Sequence, residues 1–391
     1  MKILIYTHEY KPFIGGVAIY NDELAKGLAK LGQDVIVLAP RYSKEDKLND
    51  RKRDFQVVRM SELKSAFIRK IPELEFLLGA FYFMISLIRY RPDKILFTNE
   101  KSQIVGAIFS LLLPIRFFIT VHGSEVLLFK SSRGIKGGIR RFILRKFYGS
   151  ADKIISVSSS TKKLLEEKIG VRPDRIRVIY PGIDIDRFSI KGNPEKLRQQ
   201  FGLTGKKVIL TVARLDSRKG QDKVIEALPK VIKDIPEVKY LIVGEGYYRG
   251  ELEKLAQKYG VEESVIFTGT IPDDNDLIID YYDLADVFIM PSRTQKGKIE
   301  GLGISFLEAS ARGKAIIAGK SGGSVEAVRD GETGLLVDPN DSEKIAGVIL
   351  DLLKNDEKSR TFGTNARRRA EELFTSRVMA IKTLRVLKGE W

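Results

Sequence analysis

The stretch SRTQKGKIEGLGISFLEASARG carries two glutamates eight positions apart, Glu300 and Glu308, with Gly301, Leu302 and Gly303 directly after the first. An apolar strand over 286–292 should end just before it, and a helix should run from about 304 to 312. The first backbone amides of such a helix have no partner inside it and favour an anion. Glu300, at the mouth of the loop, should meet the reactive end of that anion. Glu308 would sit in the second helical turn among Phe306, Leu307 and Ala309, where an unpaired carboxylate is costly, so it should face a polar partner. Two carboxylates flanking a phosphate site suit a ligand with hydroxyls on both sides of its phosphates, which is the shape of a nucleotide sugar.

Two further loops carry the same kind of signal. ARLDSRKG places Arg214, Arg218 and Lys219 ahead of a helix over 220–228. Three cations at a helix N-terminus oppose its dipole, so a bound anion explains them better than a solvated loop does. KPFIGGVAIYNDEL sets Gly15 and Gly16 between a strand and a helix, where backbone could approach a phosphate closely, although a plain turn reads the same way. His122, in TVHGSE, follows a strand and taken alone reads equally as a structural hydrogen-bonder.

The elements that must position these residues are short apolar strands alternating with helical periods. In the first part of the chain they fall at 2–7, 34–40, 94–98, 117–123 and 153–158. A second series falls at 206–214, 239–246, 264–270, 286–292, 315–319 and 334–338. Apolar strands separated by helices imply parallel sheets covered on both faces. A helix is expected over 21–32, and the two most apolar stretches, 76–88 and 104–115, are too short to span a bilayer and read as core helices. The expected fold is α/β, two doubly wound Rossmann-like domains facing across a cleft, punctuated near Pro181 and Gly182. In such sheets ligands sit beyond the carboxyl ends of the strands.

Composition narrows the classes. The chain has 391 residues, enough for two domains, with no cysteine and only two histidines, so disulfide staples, thiolate metal sites and a histidine-rich metal centre are excluded. No signal peptide is expected from MKILIYTHEYKPF. The net charge is +16, and residues 1–150 hold 26 Lys plus Arg against 14 Asp plus Glu, or +12 of it. Its densest part, LLFKSSRGIKGGIRRFILRKFY, contains Lys130, Arg133, Lys136, Arg140, Arg141, Arg145 and Lys146 with Phe129, Phe142, Phe147 and Tyr148 among them. That mixture suits an anionic membrane surface.

The glutamate pair, together with GGV at 15–17, ARLDSRKG, PGID at 181–184 and GGSVEAVRDGETGLLVDPND at 322–341, resembles the retaining glycosyltransferases of family 4, which have the GT-B fold. The resemblance covers essentially the whole length, and SRTQKGKIEGLGISFLEAS is also similar to the mannosyltransferases that modify phosphatidylinositol mannosides. It implies an acceptor-binding domain at 1–183, a nucleotide-sugar-binding domain at 184–372 and a C-terminal helix at 373–391 returning to the first. It implies that Arg214 and Lys219 bind the donor diphosphate and Gly16, with Gly15, approaches it. Ile271, Gly301, Leu302 and Gly303 complete the donor set, Glu308 takes the ribose and Glu300 the hexose, and His122 lies close to the transferred sugar. Ser324 and Val325 depart from the pattern, standing where many relatives have a small residue and proline.

By this resemblance the partners are a GDP- or UDP-hexose, a lipid-linked or glycan acceptor and an anionic membrane surface reached by Lys130, Arg133, Arg140, Arg141, Arg145 and Lys146, with no nucleic acid. The protein would work in the cytoplasm on the inner face of the membrane. Charge developing on the leaving diphosphate would be met by Arg214, Lys219 and helix amides, so neither cofactor nor metal is expected. Asp273 and Asp274 read as turn residues. Retention could proceed through a carboxylate nucleophile or by front-face substitution. A sugar-nucleotide epimerase of the same fold and a basic nucleic-acid binder are the competing classes.

Overall fold

Successive residues of β1 (Lys2–Tyr6) enter two different cores. Ile3 and Ile5 pack with Val35, Val37 and Ala39, while Leu4 and Tyr6 pack with Ile36, Leu38, Ile95 and Phe97. A strand buried on both faces cannot alternate polar with apolar residues, and this is why KILIY and its neighbours are unbroken apolar runs. The computed structural model describes residues 1–43, 45–46, 50–61, 72–128, 134–271, 276–295 and 297–390.

The chain divides into two compact units, Met1–Gly182 with Ser376–Trp391, and Ile183–Thr375. The first is built on β1, β2 (Asp34–Pro40), β3 (Gln56–Met60), β4 (Lys94–Phe97), β5 (Phe117–Val121), β6 (Lys153–Ser156) and β7 (Ile176–Val178), in the order β3-β2-β1-β4-β5-β6-β7. The second is built on β8 (Val208–Val212), β9 (Lys239–Val243), β10 (Val265–Gly269), β11 (Val287–Met290), β12 (Ala315–Gly319) and β13 (Gly334–Val337), in the order β10-β9-β8-β11-β12-β13. Every pairing between these strands is parallel. Both sheets therefore reverse their strand order beside their first strand, between β1 and β4 and between β8 and β11.

The helix after β1 runs over Gly16–Lys30, starting earlier than the 21–32 expected from its apolar period. The helix Ser376–Lys388 belongs to the first unit and lies against it. Gly27 makes the approach feasible, since a Cβ there would stand 2.7 Å from Ala380 Cβ and 2.9 Å from the Ser376 carbonyl oxygen. Ser376 Oγ donates to Glu23 Oε2 at 2.5 Å.

The two apolar stretches are not wholly core. The helix Pro72–Tyr90 buries Phe83 but exposes Leu77, Phe81, Met84, Ile85 and Ile88, the last at 69%. The helix Glu100–Leu112 starts at a reciprocal Asn99–Ser102 cap and stops before Pro114, short of position 115. It buries Val105 and Ala107 and exposes Ile108, Leu111 and Leu112, the last at 72%. Each helix has one face on the sheet and a second apolar face in solvent. Among the described residues no helix is long and apolar enough to cross a membrane.

Candidate functional site

The reversal between β8 and β11 is where an open parallel sheet leaves a crevice outside its carboxyl ends. The loops that leave those two strands carry ARLDSRKG and the Glu300 stretch. They are packed tightly: Gly220 takes φ 82°, and a Cβ on it would stand 2.2 Å from the Pro291 carbonyl oxygen. Arg293 ties them further, its backbone N–H donating to Arg218 O at 2.8 Å and its guanidinium donating to Asp222 Oδ2 at 2.6 Å.

Inside this clamp three charged side chains converge. Lys219 Nζ donates to Glu300 Oε2 at 2.5 Å, and Arg218 donates to the same oxygen at 3.2 Å. Lys219 and Glu300 are each 8% exposed. Burial alone would raise the Glu300 carboxyl, but Lys219 and Arg218 beside it more than offset this and hold it below its usual range. Burial, with Arg218 and Arg214 nearby, lowers Lys219 against the opposing pull of Glu300. Arg218 and Lys219 thus stand just ahead of a helix N-terminus, as the sequence suggested, and there they already face a carboxylate. Arg218 and Lys219 lie in a single 3-10 turn, Ser217–Lys219, opened by the Asp216 side chain, and the helix proper, Gln221–Asp234, begins beyond Gly220. The anion they hold is Glu300. Arg214 is exposed at the rim of the same loop.

The backbone under Glu300 is fixed by the GGSVEAV segment, whose part in the site the sequence reading did not anticipate. Gly323 N–H donates to Glu300 O at 2.9 Å. A Cβ on Gly323 would come 1.9 Å from Gly301 O, and one on Gly322, at φ 58°, 2.5 Å from Glu300 O. Ser324 is fully buried with its Oγ 2.9 Å from Ser292 Oγ. Gly303 takes φ 94° at the start of the helix Ile304–Ala311, which no side chain caps. Leu302 is buried beside it. Glu308 has the polar partner its position required: Tyr282 Oη donates to Glu308 Oε2 at 2.7 Å. Ile271 is half-buried just after β10 and lies two strands away from β8. Asp273 and Asp274 lie outside the described residues.

In the first unit, Gly15 precedes the helix Gly16–Lys30 in extended backbone, with no side chain capping the helix. His8 N–H, after β1, donates to Asn99 Oδ1, after β4, at 3.2 Å, which joins the two loops at that sheet's reversal. His122 follows β5. Its Nε2 is buried without a hydrogen-bond partner, its ring meets Tyr20 edge-on at 4.9 Å, and burial pushes it down to about 4. Its backbone N–H donates to Glu125 Oε1 at 2.6 Å. Burial pushes Glu125 up to about 7, with Glu100 and Glu9 adding to the effect. The acid in TVHGSE was legible as a residue, but its burial was not.

Of the basic segment, Lys130, Arg133 and Phe129 lie outside the described residues. Arg140 and Arg141 fall on the helix Gly134–Ser150, and Arg145 and Lys146 are exposed on it. The aromatics divide. Phe142 is 70% exposed, whereas Phe147 and Tyr148 are core residues, Phe147 stacked on Phe117 at 4.7 Å and Tyr148 donating to Gln103 Oε1 at 2.7 Å.

Known proteins match this architecture over its full length. Two family models divide the chain between them, Glycosyltransferase Family 4 over residues 14–187 and Glycosyl transferases group 1 over 193–369. HepE of Anabaena in complex with UDP-glucose is 24% identical with a TM-score of 0.80, covering 100% of both chains. Sucrose-phosphate synthase from Thermosynechococcus elongatus is 24% identical with a TM-score of 0.81, covering 99% of this chain and 98% of that one. These likenesses, with the two parallel sheets, establish the GT-B fold. The chain belongs to the family 4 glycosyltransferases. Curated relatives include two GDP-mannose-dependent alpha-(1-6)-phosphatidylinositol monomannoside mannosyltransferases. That of Mycolicibacterium smegmatis is 28% identical over 99% of this chain and 98% of its own length. That of Mycobacterium tuberculosis is 29% identical over 100% and 98%.

Proposed function

We propose that this glycosyltransferase moves a hexose, with mannose from GDP-mannose favoured, onto a lipid-linked or glycan acceptor with retention of configuration. The observation that carries the donor half is the buried Lys219–Glu300–Arg218 cluster at the β8/β11 reversal, since two cations held there by a displaceable anion suit a diphosphate. Arg214 and Lys219 would hold the diphosphate, with Arg218 beside Lys219 and the amides of the Gly301–Leu302–Gly303 turn, while Glu300 receives the hexose hydroxyls, Glu308 the ribose, and Ile271 borders the donor. Fixed cations stabilise the charge that develops on the leaving diphosphate, so the reaction needs no divalent ion. In the first unit, the loop at Gly15 and Gly16 would approach phosphate through its backbone, and His122, kept neutral, would meet the transferred sugar.

The choice of mannose follows the relatives named above, and HepE bound to UDP-glucose makes UDP-hexose the competing donor. The acceptor and membrane reading is supported by the excess of positive charge in residues 1–150 and by exposed apolar side chains such as Ile88, Leu112 and Phe142 in the same unit. A thermal-shift panel of GDP, UDP and ADP sugars in excess EDTA tests the donor, because a ligand of the folded state alone raises apparent stability. GDP-mannose should give the largest rise. A larger rise with a UDP sugar removes mannose as the donor, and a rise that requires added magnesium removes the metal-free route. An inverted anomeric centre in the product would contradict retention.

A further inference from the structure

We propose that Glu300 has two successive partners: without donor its carboxylate is the counter-anion of Lys219 and Arg218, and the arriving diphosphate displaces it toward the hydroxyls of the transferred sugar. This rests on the donor-site reading above and assigns Glu300 a second role, as the counter-anion with which the diphosphate competes for Lys219 and Arg218.

The geometry supplies the first state. Lys219 and Arg218 share one oxygen of Glu300, at 2.5 and 3.2 Å, and the three side chains are at most 16% exposed. A buried ammonium without an anion is unfavourable, so a site shaped for a diphosphate needs an internal substitute while it is empty. A carboxylate carrying one charge is a weak copy of a diphosphate carrying two or more. Once the diphosphate lies on both cations, the Glu300 carboxylate becomes an anion beside an anion in a poorly screened site, and the repulsion favours its departure.

The structure also limits how Glu300 leaves. Gly322 and Gly323 press against the backbone oxygens of Glu300 and Gly301, and Gly323 N–H holds Glu300 O at 2.9 Å. Arg218 is retained by its donation to Ile299 O at 3.4 Å and by Asp216 at its backbone N–H. The exchange is therefore a rotation of the Glu300 side chain about a fixed backbone. Its consequence is an order of events in which phosphate is sensed first and sugar accepted second. A bare nucleoside diphosphate displaces the carboxylate and gains no hydroxyl contact in return, whereas a nucleotide sugar gains one.

Calorimetric titration of wild type and Glu300→Gln with UDP, GDP and the corresponding nucleotide sugars tests this. Glu300→Gln should bind its preferred nucleoside diphosphate more tightly than wild type, on the order of tenfold for one lost charge-assisted competitor, and should lose the extra affinity that the sugar gives wild type. Equal or weaker diphosphate binding by Glu300→Gln overturns the exchange and leaves the donor site standing. No binding of either diphosphate by wild type overturns the donor site, and the exchange with it. Should Glu300→Gln fail to fold, a crystal structure of wild type with the bound diphosphate decides: Glu300 Oε beyond 4 Å from Lys219 Nζ is expected, and retention at hydrogen-bond distance contradicts the proposal.

Discussion

Loops at the carboxyl ends of the two sheets treat buried charge in opposite ways. After β8 and β11, Glu300 is buried against Lys219 and Arg218 and is held ionised below its usual range. After β5, Glu125 is buried on backbone amides beside other acids and is pushed up to about 7, while His122 is pushed down to about 4. The first arrangement suits a ligand that brings charge. The second keeps an imidazole and, up to about neutral pH, a carboxyl uncharged, which suits a ligand that brings hydroxyls. The units also differ on the outside: the first exposes Arg145, Lys146 and its apolar helix faces, whereas the second draws Lys219 and Arg218 inward.

The largest effect that could break this contrast is on stability. Between the ordinary carboxyl range and about pH 7, the unfolded chain has lost the Glu125 proton and the folded chain has kept it. Stability therefore falls as pH rises through that window and levels off above about 7. Glu125→Gln, which keeps an acceptor for the His122 N–H, should be more stable than wild type at pH 8, by about 3 kcal/mol at most, and nearly equal at pH 4. His122 contributes in the reverse sense: stability is lost as pH falls from its ordinary value toward about 4. Urea denaturation at the two pH values measures the difference. A Gln variant less stable than wild type at pH 8 would show that Glu125 is ionised and paired, and the contrast would be gone.

A smaller effect sharpens the outer half of the comparison. Each exposed cation near an anionic bilayer contributes about 1 kcal/mol, and salt weakens the attraction. Wild type should sediment with anionic but not neutral vesicles at low salt. A variant with Arg140, Arg141, Arg145 and Lys146 changed to Gln should remain in the supernatant while still binding nucleotide. Equal sedimentation of both proteins, or of neither, makes a soluble acceptor the better reading.

Much of the fold was legible because a strand buried on both faces must be apolar throughout, which marks β1, β2, β8, β9 and β11 without ambiguity. The strands that escaped notice, β3 with Gln56 and Arg59 and β7 with Arg177, are the two edges of the first sheet, where solvent permits polar residues and the apolar run is lost. The helix Pro72–Tyr90 read as core because its composition is apolar all round, and no sequence period distinguishes the face that meets the sheet from the one that meets solvent. At the candidate site, residue types and spacing singled out Lys219, Glu300 and Glu308, but not their partners. The pairing of Lys219 with Glu300 joins positions 81 apart, through the adjacency of β8 and β11 and the contact of Gly220 with Pro291. The same holds for the clamp of Gly322 and Gly323 on Glu300, which local sequence cannot reveal.

We propose the β8/β11 loops as the seat of the donor diphosphate, with Lys219 as its buried cation. Titration of UDP and GDP into wild type and Lys219→Ala, with circular dichroism confirming that both are folded, tests this most directly. The preferred diphosphate should bind Lys219→Ala at least about tenfold more weakly than wild type, the scale of one charge-assisted contact. Equal affinity in the two proteins would place the diphosphate elsewhere and contradict the account.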